Sequence, residues 1–178
     1  MVEPFFIPPS GWVPVEFPRT LGEGRSFVSG ETTGDRLIVH YYASGDSSML
    51  NALAWWGPGA EGPPGHAHGG SMAAVLDEGM GFAAWHGGYP VVAATITVNF
   101  RQRLPLGVVH GVTCRVTRVD RSKVYTAGRI YHLHSGEVYA DANGLFIVQP
   151  LDSFGDSEEL APLRRALSGR GSQGSPTA

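Results

Sequence analysis

One carboxylate stands in unusual surroundings. Asp77 sits in Gly69-Gly70-Ser71-Met72-Ala73-Ala74-Val75-Leu76-Asp77-Glu78-Gly79-Met80-Gly81-Phe82-Ala83-Ala84-Trp85, a segment that is otherwise apolar or small nearly all round. A helix of that composition is expected to be buried on every side. A charge inside it is costly unless paired, hydrogen-bonded or used. The preceding Gly62-Pro63-Pro64-Gly65-His66-Ala67-His68-Gly69-Gly70 reads as a turn-rich approach to the helix start. Backbone N–H groups at such a start, here of Gly69 and Gly70, carry partial positive charge and suit an oxyanion. A carboxylate two turns further on suits a general base on water or a nucleophile. Together these point to chemistry on a carbonyl. The alternative is a pair of glycines that only permit a turn, with an Asp that bonds backbone at an interface.

The neighbours divide into helpers and bystanders. His68 could orient a carbonyl or a water, and His66 lines the same loop. Glu78 lies about 100° round the helix from Asp77 and is a reserve base. Ser71 suits a helix cap; it lacks the Gly-x-Ser-x-Gly elbow of a serine hydrolase. His66/His68 and His132/His134 have ligand-like spacing, yet no second cysteine or carboxylate cluster accompanies them, so no metal is expected. Arg101, Arg103, Arg121 and Lys123 fall in connections where cations suit phosphates, with Arg121 and Lys123 preferred. Met80 and Trp85 are candidates for an acyl pocket, although such side chains are more often core.

The 178 residues suffice for one domain with a sizeable core. A net charge of -3 gives no reason to expect a nucleic-acid partner. The single cysteine, Cys114, forbids an internal disulfide and fits a reducing, cytoplasmic setting. Neither a signal peptide nor a membrane span is expected.

The elements that must position Asp77 follow from period and punctuation. Residues 1–23 read as an aromatic, Pro-rich arm packed on the domain, 24–150 as the domain, and 151–178 as a tail, disordered from about 168 after a short helix at 160–167. Strands are expected at 24–31 (weak), 36–43, 49–56, 90–100, 108–119, 124–133 and 138–148. The helix is expected over 70–86, stopped by Gly87-Gly88. The last four strands read as hairpin-connected neighbours, hence antiparallel. The class is α+β, with one long helix wrapped by a sheet.

The Gly62–Gly70 run, with Leu76-Asp77 and Gly81, resembles the hot-dog acyl-CoA thioesterases of the phenylacetate-pathway and mitochondrial thioesterase-superfamily types. Thr97-Val98-Asn99-Phe100, followed by Arg103-Leu104-Pro105-Leu106-Gly107, is similar to that family's Asn-aromatic strand and Pro-containing turn. The likeness covers about 53–148. It implies a thioester hydrolase acting on acyl-CoA or on an acyl carrier protein, with no cofactor beyond the coenzyme A of the substrate. It further implies a homodimer or homotetramer whose site joins the helix start of one subunit to the carboxylate of another. By that resemblance His68, Gly69 and Asp77 are catalytic, while Gly70, His66 and Asn99 contact substrate. One departure stands out: some relatives carry a Thr where this chain has Ala93. Thr95 is expected on the same strand face and is the substitute for holding water. The departure keeps a non-catalytic acyl-CoA binding module open. A hot-dog dehydratase or hydratase and a purely structural subunit are further alternatives.

Overall fold

The computed structural model describes residues 4–17, 20–21, 24–45 and 49–154. The expected tail helix at 160–167 lies outside them, as do parts of the arm.

The apolar β-branched runs form strands and the small-residue run forms one helix. In chain order they are β1 (Val13–Val15), β2 (Thr20–Leu21), β3 (Gly24–Arg25), β4 (Leu37–Ala43), β5 (Met49–Trp56), α1 (Gly69–His86), β6 (Val91–Phe100), β7 (Val109–Asp120), β8 (Lys123–Tyr131) and β9 (Val138–Val148). Seven strands make one antiparallel sheet in the order β1-β4-β5-β7-β8-β9-β6. The helix lies across it, packed mainly on β7 and β8. This is the hot-dog arrangement.

Two expectations fail here. Only Gly24–Arg25 of the weak 24–31 strand pairs, and residues 27–29 form a turn. More important, β6 and β7 are not hairpin neighbours. β6 pairs with β9, while β7 pairs with β5 and β8. The connection 101–108 therefore crosses the sheet end instead of turning back. It carries Leu104 into the core, fully buried. It also holds the loop before the helix: Ala67 N–H donates to the Leu104 carbonyl (2.9 Å) and Leu106 N–H to the Gly65 carbonyl (3.1 Å).

The helix is apolar or small nearly all round, but it is buried on one side only. Met72, Val75, Leu76, Gly79, Met80, Ala83 and Ala84 face the core. Close approach to β7 depends on small residues. A Cβ on Gly79 or on Gly128 would lie 2.9 Å from Cys114 Sγ. The outer side is half-covered. There the Phe17 ring of the arm stacks on Phe82 (centroids 4.1 Å apart, planes at 8°) and meets the edge of Tyr41.

Candidate active site

The helix start is built by its own loop. Gly62 N–H donates to the His66 carbonyl (2.9 Å) and His68 N–H to the Ala60 carbonyl (2.8 Å). A Cβ on Gly62 would lie 2.7 Å from His68 Cα, so the loop folds this tightly only with glycine there. His68 is the N-cap, and its Nδ1 accepts the Gly70 N–H at 3.0 Å. That consumes one of the two amides read as an oxyanion site and leaves the Nε2 side of the ring as the donor. Gly69 N–H has no acceptor among the described residues, and it opens beside Phe100, whose ring a Gly69 Cβ would touch at 3.4 Å. Ser71 is not the cap: its hydroxyl donates to the His68 carbonyl (2.6 Å) and accepts from the Trp56 indole (3.0 Å).

Asp77 is half-buried, and no described residue hydrogen-bonds its carboxylate. Burial first, then the charge of Glu78, holds its carboxyl above the ordinary range. Eight residues of helix separate it from Gly69, about 12 Å of rise. The two cannot meet one carbonyl within a single subunit. Glu78 behaves differently: Tyr41 donates to Oε1 (3.0 Å) and Ser26 to Oε2. Burial, then Glu78, pushes the Tyr41 phenol well up. Nothing in the sequence pattern singled out Ser26 or Tyr41.

The other predicted residues scatter. His66 donates from Nδ1 to the Pro64 carbonyl (2.7 Å) and lines a groove with Gly69, Phe100 and Arg103. Asn99 donates to Asp141 (2.9 Å), which Arg101 also holds; both pull the Asp141 carboxyl below its usual range. The expectation for Thr95 is overturned. Ala93 pairs with Phe146 and Thr95 with Leu145, so a bulge at Ala94 shifts the alternation. Thr95 consequently faces away from the helix, and Ala93 toward it. Met80 is fully buried in the core, and Trp85 donates to the Val91 carbonyl (3.1 Å) about 24 Å of helix from Gly69. Neither reaches the Gly69 end of its own subunit, and Met80 is a core residue. Arg121 and Lys123 lie at the β7–β8 hairpin tip, by Ile147 and Val148 and thus at the far end of the helix. Among the described residues no cluster of three or more potential metal ligands occurs, and no helix is long and apolar enough to cross a membrane.

The helix thus carries one open amide at its start and, further along, a carboxylate with no hydrogen-bond partner among the described residues. Residues 64–139 match the Thioesterase superfamily. Among curated relatives, the acyl-coenzyme A thioesterase THEM4 of Xenopus laevis is 34% identical over 91 residues, 51% of this chain and 41% of that protein. The acyl-coenzyme A thioesterase THEM5 of Mus musculus is 28% identical over 122 residues, 68% of this chain and 48% of that protein. The chain thus spans about half the length of either relative or less. Among solved structures, a thioesterase superfamily protein aligns with TM-score 0.59 and 30% identity over 62% of this chain and 53% of its own. The Escherichia coli PaaI protein from the phenylacetic acid degradation operon aligns with TM-score 0.58 at 16% identity, over 63% of this chain and 80% of its own. A Streptococcus mutans protein bound to acetyl CoA aligns with TM-score 0.58 at 17% identity, over 72% of this chain and 95% of its own. At those two identities the likeness concerns the fold alone.

Proposed function

We propose that this chain hydrolyses an acyl-CoA thioester as a homodimer or a larger assembly of dimers. One observation carries the reading: Gly69 N–H and the Asp77 carboxylate are both without partners among the described residues, and both lie on one helix, too far apart to serve one carbonyl. A second copy would bring its Asp77 to this Gly69. The half-exposed Ala73 and Gly81 on the helix, and the open edge of β6, supply surface for that copy.

In this reading Gly69 N–H polarises the thioester carbonyl. The partner subunit's Asp77 takes a proton from water as the water oxygen bonds to the carbonyl carbon. The oxyanion that forms is held by Gly69 N–H, where the aligned helix dipole adds to the attraction. Collapse breaks the carbon–sulfur bond, and the departing thiolate takes the proton, leaving acid and free coenzyme A. His68, the N-cap, orders this helix start by accepting the Gly70 N–H at Nδ1. No step needs a metal or a redox cofactor. The nearby acyl-CoA thioesterase relatives support coenzyme A as the carrier, with acyl carrier protein as the second candidate. A free, buried Cys114 fits a reducing compartment such as the cytoplasm.

Ala93, with Thr95 turned away by the bulge, favours a second reading, an acyl-CoA binder without turnover. Free-thiol release from a panel of acyl-CoAs separates the two. Turnover by wild type, with a loss of at least about 100-fold in kcat for a folded Asp77→Asn, supports hydrolysis; such a loss is about 3 kcal/mol of transition-state stabilisation. Tight binding with no thiol release supports the binder.

A further inference from the structure

A cavity of about 760 Å³ opens beside the first two turns of α1, bordered by residues 25–31. Its interior is apolar and small: Val28, Leu37, Ala60 and Ala74, with His68 and Gly70 of the helix start at one edge. Arg25, Glu31, Arg36 and Glu61 supply its charges. Arg25 pairs with Glu31 at 3.8 Å, and Glu61 accepts the Gly65 N–H at 2.7 Å. That size falls in the range of about 300–1,000 Å³ that houses a drug-sized ligand. It is generous for a two-carbon group. The groove beside Gly69 is different, smaller at about 340 Å³ and carrying Arg101 and Arg103.

The outer wall is a strap, residues 25–31. It turns on itself through Gly30 N–H to the Ser26 carbonyl (3.1 Å) and points Val28 inward. What ties it to the helix is Ser26, hydrogen-bonded to Glu78 one turn beyond Ala74. Tyr41 holds the other oxygen of that carboxylate. The glutamate next to the proposed base therefore anchors the wall of the adjoining cavity.

We infer that this strap-walled cavity is the acyl subsite and that it takes an extended alkyl group. The groove with Arg101 and Arg103 is left for the phosphate-bearing arm. The inference rests on the acyl-CoA reading above. Aliphatic walls favour alkyl over aryl, because the one phenyl ring on the lining, Phe27, is 87% exposed and encloses nothing, and the His68 imidazole stands at the edge. Each methylene moved from water into such walls is worth roughly threefold to fourfold.

The test compares acetyl-, butyryl-, octanoyl-, lauroyl- and benzoyl-CoA with wild type, Ala74→Leu and Val28→Phe. Ala74 is half-exposed and leucine suits a helix, so the first variant should fold; the second fills the same space from the strap. The expected result is a wild-type kcat/KM at least tenfold higher for lauroyl- than for acetyl-CoA. Either variant should cut the ratio of lauroyl to butyryl kcat/KM at least tenfold. An unchanged chain-length profile in both folded variants, or a wild-type preference for acetyl- or benzoyl-CoA, overturns the inference. If wild type releases no thiol from any ester, hydrolysis fails but the cavity can still be judged. Calorimetric titration with non-hydrolysable S-alkyl-CoA thioethers must then show the same length dependence and the same loss in the variants; flat affinities overturn it.

Discussion

Tyr41 donates a 3.0 Å hydrogen bond to Glu78, one residue from Asp77. The two carboxylates, about 100° apart on the helix, thereby take different environments. Glu78 is occupied by Tyr41 and Ser26, and Asp77 has no described partner. Adjacent acids thus divide into a tether and a candidate base, and the reserve-base reading of Glu78 loses its footing.

Glu78→Ala should therefore cost stability more than chemistry. Leaving a buried phenol unpaired costs about 1–3 kcal/mol. Urea unfolding should show that loss, while kcat on a short acyl-CoA stays within about tenfold. A folded, fully stable Glu78→Ala that has lost activity as completely as Asp77→Asn would reverse the two roles.

Asp77 has a carboxyl held above the ordinary range by burial and by Glu78. A base must be deprotonated, so the acid limb of kcat/KM should sit above the ordinary carboxylate range. Glu78→Gln removes a negative neighbour and should move that limb to lower pH. The raised folded pKa also means that the native state binds more protons than the unfolded chain. Stability from this group is lost as pH rises through that window, so Asp77→Asn should not destabilise the protein at neutral pH. A pH–rate profile and a thermal melt check both statements.

His110 is fully buried between the Trp56 and Tyr139 rings, with Nε2 donating to the Pro105 carbonyl (3.1 Å) and Nδ1 without a partner. Burial lowers its pKa to about 4. The unfolded chain, with a pKa near 6.5, binds the proton first as pH falls. The contribution is complete above about 6.5 and is lost between there and about 4, up to roughly 3 kcal/mol. His110→Phe should flatten this part of the stability–pH curve. Because Pro105 belongs to the crossover that pins the helix start, it should also lower kcat. An unaltered slope in urea unfolding between pH 4 and 7 would remove His110 from the account.

The helix–sheet contact at Cys114 can be probed by size alone. Gly128→Ala places a methyl 2.9 Å from Sγ and should destabilise by about 1–3 kcal/mol. Adding Cys114→Ala should recover a good part of that loss. Additive losses in the double-mutant cycle would show that the crowding lies elsewhere.

Much of this protein is decided locally and is legible in the chain. The Gly-Pro run, the small-residue helix over 69–86 and the strands with their β-branched residues depend on neighbours a few positions apart. So does the 12 Å spacing of Gly69 and Asp77, because helical rise is a property of the backbone. Tertiary structure decided what depends on distant partners. Strand periodicity carries no information about which strand lies beside which, so β6 looked like the hairpin neighbour of β7. Only packing places β9 between β8 and β6 and sends 101–108 across the helix start. A one-residue bulge at Ala94 reverses the face of Thr95, because alternation holds only while the ladder is unbroken. Glu78 looked like a free second acid until the fold brought Ser26 and Tyr41 to it from 52 and 37 residues away.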